Sequence, residues 1–219
     1  MILYTVTGKV GQEGYLDIAL SGDLTGKNIY VNMTNKCPCR CVFCLRHTKK
    51  QLEGNSLWLK EGEPSVEEVL ELFSKYDLSV IGEVVFCGFG EPLERLSDVC
   101  QVIDGLKEKY PDLKVRLNTI GLANLIYERD VTPELKGRFD TVSISLNAPE
   151  EKEFYELTRS RYGIQSYEAI KTFAVLAKRY VPNVVMTVVE KVMSEEKIER
   201  CREICNDLGV TLRVRPFEE

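Results

Sequence analysis

The feature that most constrains this chain is a crowded group of cysteines in its first quarter. Four of its eight cysteines fall within eight positions: Cys37, Cys39, Cys41 and Cys44. They follow an apolar run from Ile29 to Met33, which is typical of a buried strand. Thiols this close on a short loop cannot easily meet the geometry of a disulfide, but thiolates are the ligands that soft metals prefer. The loop therefore predicts a metal centre.

The spacing C-x3-C-x2-C of Cys37, Cys41 and Cys44 points to an iron–sulfur cluster, because such clusters are held by closely spaced cysteines, usually four of them. Three ligands would leave one iron open to an external ligand. The alternative is a structural zinc site that includes Cys39. Zinc sites usually combine ligand pairs from separated segments, so one tight loop is less suited to a tetrahedron. Cys39 is interpreted as a bystander, with capping of the fourth iron as the alternative.

Composition limits the setting of this centre. A length of 219 residues, 44% hydrophobic and 29% charged, is ordinary for one globular domain. The net charge of -5 argues against a broad nucleic-acid footprint, although it leaves room for a local basic patch such as 46–50. No apolar run is long enough for a membrane span, and the start alternates like a strand rather than a signal peptide. We therefore expect a cytoplasmic protein with reduced thiols and no membrane association.

Apolar periodicity predicts alternating strands and helices. Residues 1–26 contain two alternating runs, Ile2–Thr7 and Tyr15–Leu20, which predict an amino-terminal β-hairpin. For the core, 27–219, the predicted strands are Asn28–Met33, Glu83–Cys87, Lys114–Thr119, Asp140–Leu146, Asn183–Val189 and Val210–Val214. The predicted helices are one that starts at a Ser65–Glu68 capping box, then Leu93–Tyr110, Ser166–Tyr180 and Ser194–Leu208.

About six alternations call for a parallel sheet with crossover helices, in one α/β domain. Ligands of such sheets bind at the carboxyl ends of the strands. The cysteine loop and a glycine motif, Gly88-Phe89-Gly90-Glu91-Pro92, both follow predicted strands. We therefore expect the two motifs to lie at the same edge of the sheet.

The cysteine spacing, the aromatic Phe43 before the last cysteine and the glycine motif together resemble the radical S-adenosylmethionine (SAM) superfamily. More narrowly, C-P-x-R-C-x-F-C-L-R followed by F-C-G-F-G-E-P is similar to a small radical SAM group linked to TatD-type nucleases. The resemblance implies an open partial (β/α)6 TIM-like barrel. It also implies a [4Fe-4S] cluster that binds SAM and, with an electron from a flavodoxin- or ferredoxin-type donor, produces a 5′-deoxyadenosyl radical that abstracts hydrogen.

The resemblance also implies roles for individual residues. Cys37, Cys41 and Cys44 would hold the cluster. The remaining positions would hold SAM: Gly88, Gly90 and Glu91 at its amino group, Asn118 and Ser145 at its methionyl or ribose part with Asn147 assisting, and Arg161 near its carboxylate. No catalytic residue is assigned.

Polar residues alternate along the later predicted strands, as in Ser143, Ser145 and Asn147. A strand between two helix layers should be apolar on both faces, so this pattern favours a lumen that holds a polar ligand. Arg213 and Arg215 favour an anionic substrate, with pairing to SAM or to the carboxyl-terminal glutamates as the alternatives. Cys100, Cys201 and Cys205 share helix faces with apolar residues and are interpreted as core residues.

These observations favour a radical SAM enzyme acting on an unknown substrate that is anionic or related to nucleotides or nucleic acids. Association with a TatD-type nuclease is the partner that the finer resemblance implies. Two alternatives remain: an activating enzyme of the glycyl-radical type that acts on a protein, and a non-catalytic iron–sulfur carrier or sensor. The carrier would need Cys39 as a fourth ligand and would need neither the glycine motif nor the polar strand face.

Overall fold

The computed structural model describes residues 1–8, 14–48, 57–191 and 193–216. Its strands are β1 (Leu3–Thr7), β2 (Gly14–Asp17), β3 (Ile29–Val31), β4 (Val84–Phe86), β5 (Val115–Thr119), β6 (Thr141–Ser145), β7 (Asn183–Val189) and β8 (Thr211–Arg215). Its helices are α1 (Leu45–Thr48), α2 (Val66–Ser74), α3 (Leu96–Lys109), α4 (Ala123–Ile126), α5 (Glu151–Thr158), α6 (Ser166–Ala177) and α7 (Glu195–Leu208). Short 3-10 turns cover Ile18–Leu20, Pro92–Arg95 and Thr132–Leu135.

The strands form one sheet in the order β2-β1-β3-β4-β5-β6-β7-β8. Strands β3 to β8 run parallel, and β1 pairs antiparallel with both β2 and β3. The predicted hairpin and six-stranded parallel core are therefore confirmed. The residues predicted to form the hairpin turn, 11–14, lie mostly outside the described part of the chain.

Helix ends follow the local sequence. Ser65 accepts a hydrogen bond from the Glu68 amide, and the Glu68 carboxylate accepts one from the Ser65 amide, so the predicted capping box starts α2. Gly209, at a φ of 65°, ends α7 in the left-handed conformation that glycine adopts without strain.

Two predicted elements are shorter than expected. The run Tyr15–Leu20 stops being a strand at Asp17, whose carboxylate accepts a hydrogen bond from the Ala19 amide and caps a 3-10 turn. The helix predicted from Leu93 starts instead at Leu96. The Glu91 side chain holds the Leu93 amide in a 3-10 turn, and Arg95 leaves helical geometry at φ -125° and ψ 46°.

The face of the parallel sheet toward the helices is apolar. Val31, Phe86, Leu117, Ile144 and Met186 are fully or almost fully buried there. The helices contribute further core residues, among them Cys100, Cys201 and Cys205, which are buried as predicted. Burial of this face supplies the main stabilisation of the domain.

The opposite face carries the polar stripe. The register places Asn118 beside Ser143, and Ser145 beside Thr187, which in turn lies beside Arg213. In a flat sheet β4 and β8 would lie about 19 Å apart, at about 4.8 Å per strand. Burial raises the pKa of the Cys87 thiol, directly after β4, and the charge of Arg215 at the end of β8 opposes this rise. The ends of β4 and β8 are therefore closer than they would be in a flat sheet. The sheet therefore curves, and the polar stripe lines its concave, inner face.

The amino-terminal hairpin extends this inner face. Tyr4 of β1 stacks on Tyr30 of β3 with ring centroids 5.2 Å apart. Tyr4 also packs with Leu57 and Phe89 in a second, smaller apolar cluster. In the described chain no helix is both long and apolar enough to cross a membrane.

Candidate metal centre and cofactor site

The cysteine loop, residues 37–44, leaves the carboxyl end of β3, as predicted. Cys37, Cys41 and Cys44 are half-buried, whereas Cys39 is only 5% exposed and packs into the main core. The Cys44 amide donates to the Cys41 carbonyl at 3.2 Å, which closes a turn between the second and third predicted ligands. The three sulfurs of the motif therefore sit on a short, partly shielded loop at the ligand-binding edge of the sheet.

One side of the loop is fixed by the glycine motif. The Glu91 amide donates to the Lys36 carbonyl at 2.7 Å, immediately before the first cysteine. Arg95 donates to the Met33 carbonyl at 2.9 Å and also to the Pro64 carbonyl. The motif predicted to bind SAM and the nearby Arg95 are thus also structural supports of the cysteine loop.

The other side is fixed by the end of α5. The Arg40 amide donates to the Thr158 carbonyl at 2.8 Å, and the Val42 amide donates to the Leu157 carbonyl at 2.9 Å. In return, the Arg161 amide donates to the Pro38 carbonyl at 2.8 Å. The last carbonyls of a helix have no partner within the helix, so here they serve as acceptors for the loop.

Sequence reasoning missed α5 and therefore missed this support. The available signal was the spacing of Phe154 and Thr158, which lie four residues apart and are both fully buried, after acidic residues suited to a first turn.

Cys39 lies in contact with two of the three predicted ligands. Hydrogen bonding with Cys37, and next with Cys41, raises the pKa of the Cys39 thiol. The same contact with Cys39 lowers the pKa of Cys41, while burial raises the pKa of Cys44. The Cys39 thiol therefore lies beside the sulfurs of Cys37 and Cys41.

Gly90 is required by packing within the protein. A Cβ atom on Gly90 would lie 2.1 Å from the Thr34 carbonyl oxygen and 2.7 Å from that of Lys36. A Cβ on Gly88 would lie 2.2 Å from the Oδ1 atom of Asn32. Both glycines therefore let the strand end approach the segment that leads into the cysteine loop.

The Glu91 side chain faces inward. It is 3% exposed and accepts hydrogen bonds from the Thr119 hydroxyl at 2.7 Å, the Ile120 amide at 2.8 Å and the Leu93 amide at 3.1 Å. Burial raises the pKa of Glu91 to about 7, against the opposing effect of these three donors. Through this carboxylate the glycine motif is joined to the end of β5.

The other predicted SAM residues lie close to the same edge. Asn118 is half-buried, and its Oδ1 atom is buried without a hydrogen-bond partner among the described residues. Ser145 ends β6, and Asn147 follows it in the left-handed region at a φ of 61°. The Arg161 side chain is exposed, donates to the Tyr162 hydroxyl at 2.8 Å and pairs with Glu94 at 3.4 Å.

A separate cleft of about 620 Å³ lies outside the inner face, between the start of α2 and the start of α3. Its lining includes Lys36, Glu63, Glu68, Arg95 and Asp98, and none of the predicted site residues. The predicted site is therefore formed by the inner face and the cysteine loop and not by this cleft.

The residues present fit a [4Fe-4S] cluster and SAM. Three cysteine sulfurs on an anchored loop are the donor set that iron–sulfur clusters use. The unpartnered Asn118 Oδ1 on the inner face is an acceptor available to a hydroxyl or amino group of a ligand. Over the described ranges, no three Cys, His, Asp or Glu side chains converge on a position for a single metal ion.

Comparisons with known proteins identify the family of this chain. The model of the radical SAM superfamily matches residues 31–205. A molybdenum cofactor biosynthesis protein, moc-5, of Caenorhabditis elegans is 25% identical over 85% of this chain and 29% of its own length. A probable GTP 3′,8-cyclase of Thermococcus kodakarensis is 27% identical over 65% of this chain and 41% of its own. A GTP 3′,8-cyclase of Rhodococcus opacus is 28% identical over 71% of this chain and 42% of its own. The chain thus spans less than half the length of these relatives.

Two solved structures share the fold. A radical SAM methyltransferase from Sphaerobacter thermophilus superposes with a TM-score of 0.56 at 18% identity, over 87% of this chain and 55% of the other. The structure of TYW1 with a lysine-pyruvate adduct superposes with a TM-score of 0.57 at 12% identity, over 88% of this chain and 65% of the other. The family model covers most of the chain, including the cysteine loop, the glycine motif and strands β4 to β7, so this protein belongs to the radical SAM superfamily, whose cofactors are a [4Fe-4S] cluster and SAM.

Proposed function

We propose that this protein is an enzyme that cleaves SAM reductively and directs the resulting radical to a C–H bond of a substrate bound on the inner face. The observation that carries the proposal is the anchored cysteine loop. Four backbone hydrogen bonds, from the glycine motif on one side and the end of α5 on the other, hold its three-cysteine motif beside the polar stripe.

When bound, the cluster and SAM supply an electron and a 5′-deoxyadenosyl radical, which abstracts hydrogen from the substrate. Cys37, Cys41 and Cys44 would hold the cluster. Asn118 and Ser145, on neighbouring strands, would present polar groups to SAM, with Asn147 assisting. The backbone of Gly88 and Gly90 would approach the amino group of SAM, and Arg161 would neutralise its carboxylate.

The Glu91 carboxylate has a positioning role in this proposal, in addition to the contact with SAM predicted from the resemblance. Its hydrogen bonds from the Thr119 hydroxyl and the Ile120 amide tie the end of β5, which carries Asn118, to the glycine motif. The Glu91 amide ties the same motif to the cysteine loop. Glu91 therefore fixes the position of the SAM-binding strand relative to the cluster ligands.

The relatives named GTP 3′,8-cyclase support a nucleotide as the class of substrate. An external electron donor of the flavodoxin or ferredoxin type would supply the reducing electron. The similarity of the cysteine and glycine motifs to the TatD-linked group supports, as a finer proposal, an association with a nucleic-acid enzyme.

A second candidate function is a non-catalytic iron–sulfur carrier with four cysteine ligands. The contact of Cys39 with both Cys37 and Cys41 favours it, because a fourth sulfur lies beside two of the predicted cluster ligands. The polar inner face and the glycine motif have no role in such a carrier.

The test is anaerobic reconstitution with iron and sulfide, reduction with dithionite and measurement of 5′-deoxyadenosine formed from SAM. The wild-type protein and Cys100→Ala, which changes a core cysteine on α3, should both form 5′-deoxyadenosine. Cys41→Ala should form none. A reconstituted, reducible wild-type cluster that yields no 5′-deoxyadenosine would favour the carrier.

A further inference from the structure

Two arginines from distant strands converge on the inner face. Arg116 lies on β5, in register with Val85 and Thr141, and Arg215 ends β8 beside Val189. Each has a buried Nε atom without a hydrogen-bond partner among the described residues. Buried N–H groups in proteins are almost always paired, so two such donors on one concave face indicate that a partner is missing from both.

In the described part of the chain, Glu83 is the one carboxylate that pairs with either arginine. Arg116 is 11% exposed and pairs with Glu83 at 2.8 Å, and Glu83 also accepts a hydrogen bond from Asn28. Arg215 adds a second positive charge on the same face. A buried or partly buried charge without a counter-ion is costly, so the site favours a ligand that brings negative charge.

The groups between the arginines are neutral. Burial raises the pKa of Cys87 and of Tyr30, so both stay protonated at neutral pH. The positive charges of Arg116 and Arg215 both oppose the rise in the pKa of Cys87. Both charges therefore lie near the Cys87 sulfur. Tyr4 donates to the Cys87 carbonyl at 3.3 Å and is also neutral. Among these groups only Glu83 offers negative charge.

Arg116 is set back from the positions predicted to hold SAM, whereas Arg215 ends β8. Arg116 lies two residues before Asn118 on β5, further from the carboxyl ends of the strands where the cysteine loop lies. Arg213, two residues before Arg215 on the same strand and face, is exposed. Arg215 is therefore better shielded from solvent than Arg213, although both lie on β8.

We propose that Arg116 and Arg215 bind an oxyanion group of the substrate, a phosphate or a carboxylate. Guanidinium groups match both anions through paired N–H donors. The inference rests on the proposed function, since it assigns the anion to the molecule whose C–H bond the radical attacks. Held there, the substrate lies on the inner face beside the SAM-binding edge.

The test uses calorimetric titration of the reconstituted 219-residue chain without SAM at low salt, with inorganic pyrophosphate in one arm and malonate in the other. At least one probe should bind wild-type protein, and the probe that binds identifies the oxyanion. Arg215→Gln should weaken this binding at least tenfold, while the matched control Arg213→Gln should change it less than twofold. Thermal unfolding of each variant checks that it is folded.

Arg116→Lys provides a second variant, because it keeps a charge beside Glu83 but removes the Nε donor. It should also weaken binding at least tenfold. Failure of both probes to bind, or equal losses in Arg215→Gln and Arg213→Gln, would overturn the assignment. So would displacement of the probe by SAM in the reconstituted protein, since the arginines would then hold the SAM carboxylate. Formation of 5′-deoxyadenosine is measured separately, so an absent anion site leaves the proposed SAM cleavage standing.

Discussion

The close approach of Gly90 to the segment before the cysteine loop makes Gly90→Ala the sharpest structural test of the site. The added Cβ would lie 2.1 Å from the Thr34 carbonyl oxygen and 2.7 Å from that of Lys36. Both are backbone atoms, so no rotamer change relieves the contact. Since ordinary Cβ contacts begin at about 3.4 Å, the two chain segments must separate by more than about 1 Å.

That separation should break the 2.7 Å hydrogen bond from the Glu91 amide to the Lys36 carbonyl. Overpacking of a well-packed region costs about 1–3 kcal/mol, and loss of a buried hydrogen bond adds about 1 kcal/mol. We therefore expect Gly90→Ala to lower the free energy of unfolding by about 2–4 kcal/mol. The cysteine loop should also lose its anchor on this side, so iron bound after anaerobic reconstitution should fall by more than half.

The assays are urea unfolding and iron analysis with absorbance near 400 nm. Gly105→Ala in α3 is the matched control, because its Cβ would meet only the flexible side chain of Leu70, at 3.0 Å. It should unfold within about 1 kcal/mol of wild type and bind iron normally, since alanine is favoured within helices. If Gly90→Ala were as stable and as rich in iron as Gly105→Ala, the glycine motif would not be the support of the loop.

Three further predictions concern single side chains. The pKa of Glu91 is raised from 4.5 to about 7 in the folded state. The contribution of Glu91 to the free energy of unfolding is therefore greatest when the side chain is protonated, and it declines as pH rises from about 4.5 to 7. In urea unfolding across this range, the free energy of unfolding of Glu91→Gln should rise relative to that of wild type by up to about 3 kcal/mol. Parallel pH profiles of the two proteins would contradict the buried environment of Glu91. Cys44→Ala should lose most cluster iron in reconstitution assays whereas Cys201→Ala, in the α7 core, should keep it, and equal iron in the two would remove Cys44 from the ligand set. Asn118→Ala should weaken SAM binding by roughly tenfold, about 1.4 kcal/mol for one lost hydrogen bond, and an unchanged SAM affinity would exclude Asn118 from the site.

The sequence was sufficient to predict the sheet because strand and helix periodicities are strong in this chain. The strand Asn183–Val189 is predicted to the residue, and the other core strands differ only at their ends. Sequence could not show that Gly90 and Glu91 face the protein interior, because a glycine that approaches a ligand and one that approaches a neighbouring backbone look the same. It could not show the support from α5 either. That helix has few apolar residues, and it holds the cysteine loop through backbone carbonyls, which every residue has.

The convergence of Arg116 and Arg215 also depends on the fold. The residues are 99 positions apart in the chain and three strands apart in the sheet order. Alternation predicts that each faces away from the helices, but only the curvature of the sheet brings both near Cys87. The alternative partners Glu218 and Glu219 lie outside the described residues.

In the proposed site the cysteine loop leaves one iron of its cluster open to SAM. The decisive measurement is electron paramagnetic resonance of the reduced, reconstituted protein, recorded before and after addition of SAM in wild type and Cys39→Ala. We expect a cluster signal in both proteins that changes when SAM is added. A signal that SAM leaves unchanged, together with loss of the cluster in Cys39→Ala, would contradict it and identify a four-cysteine carrier.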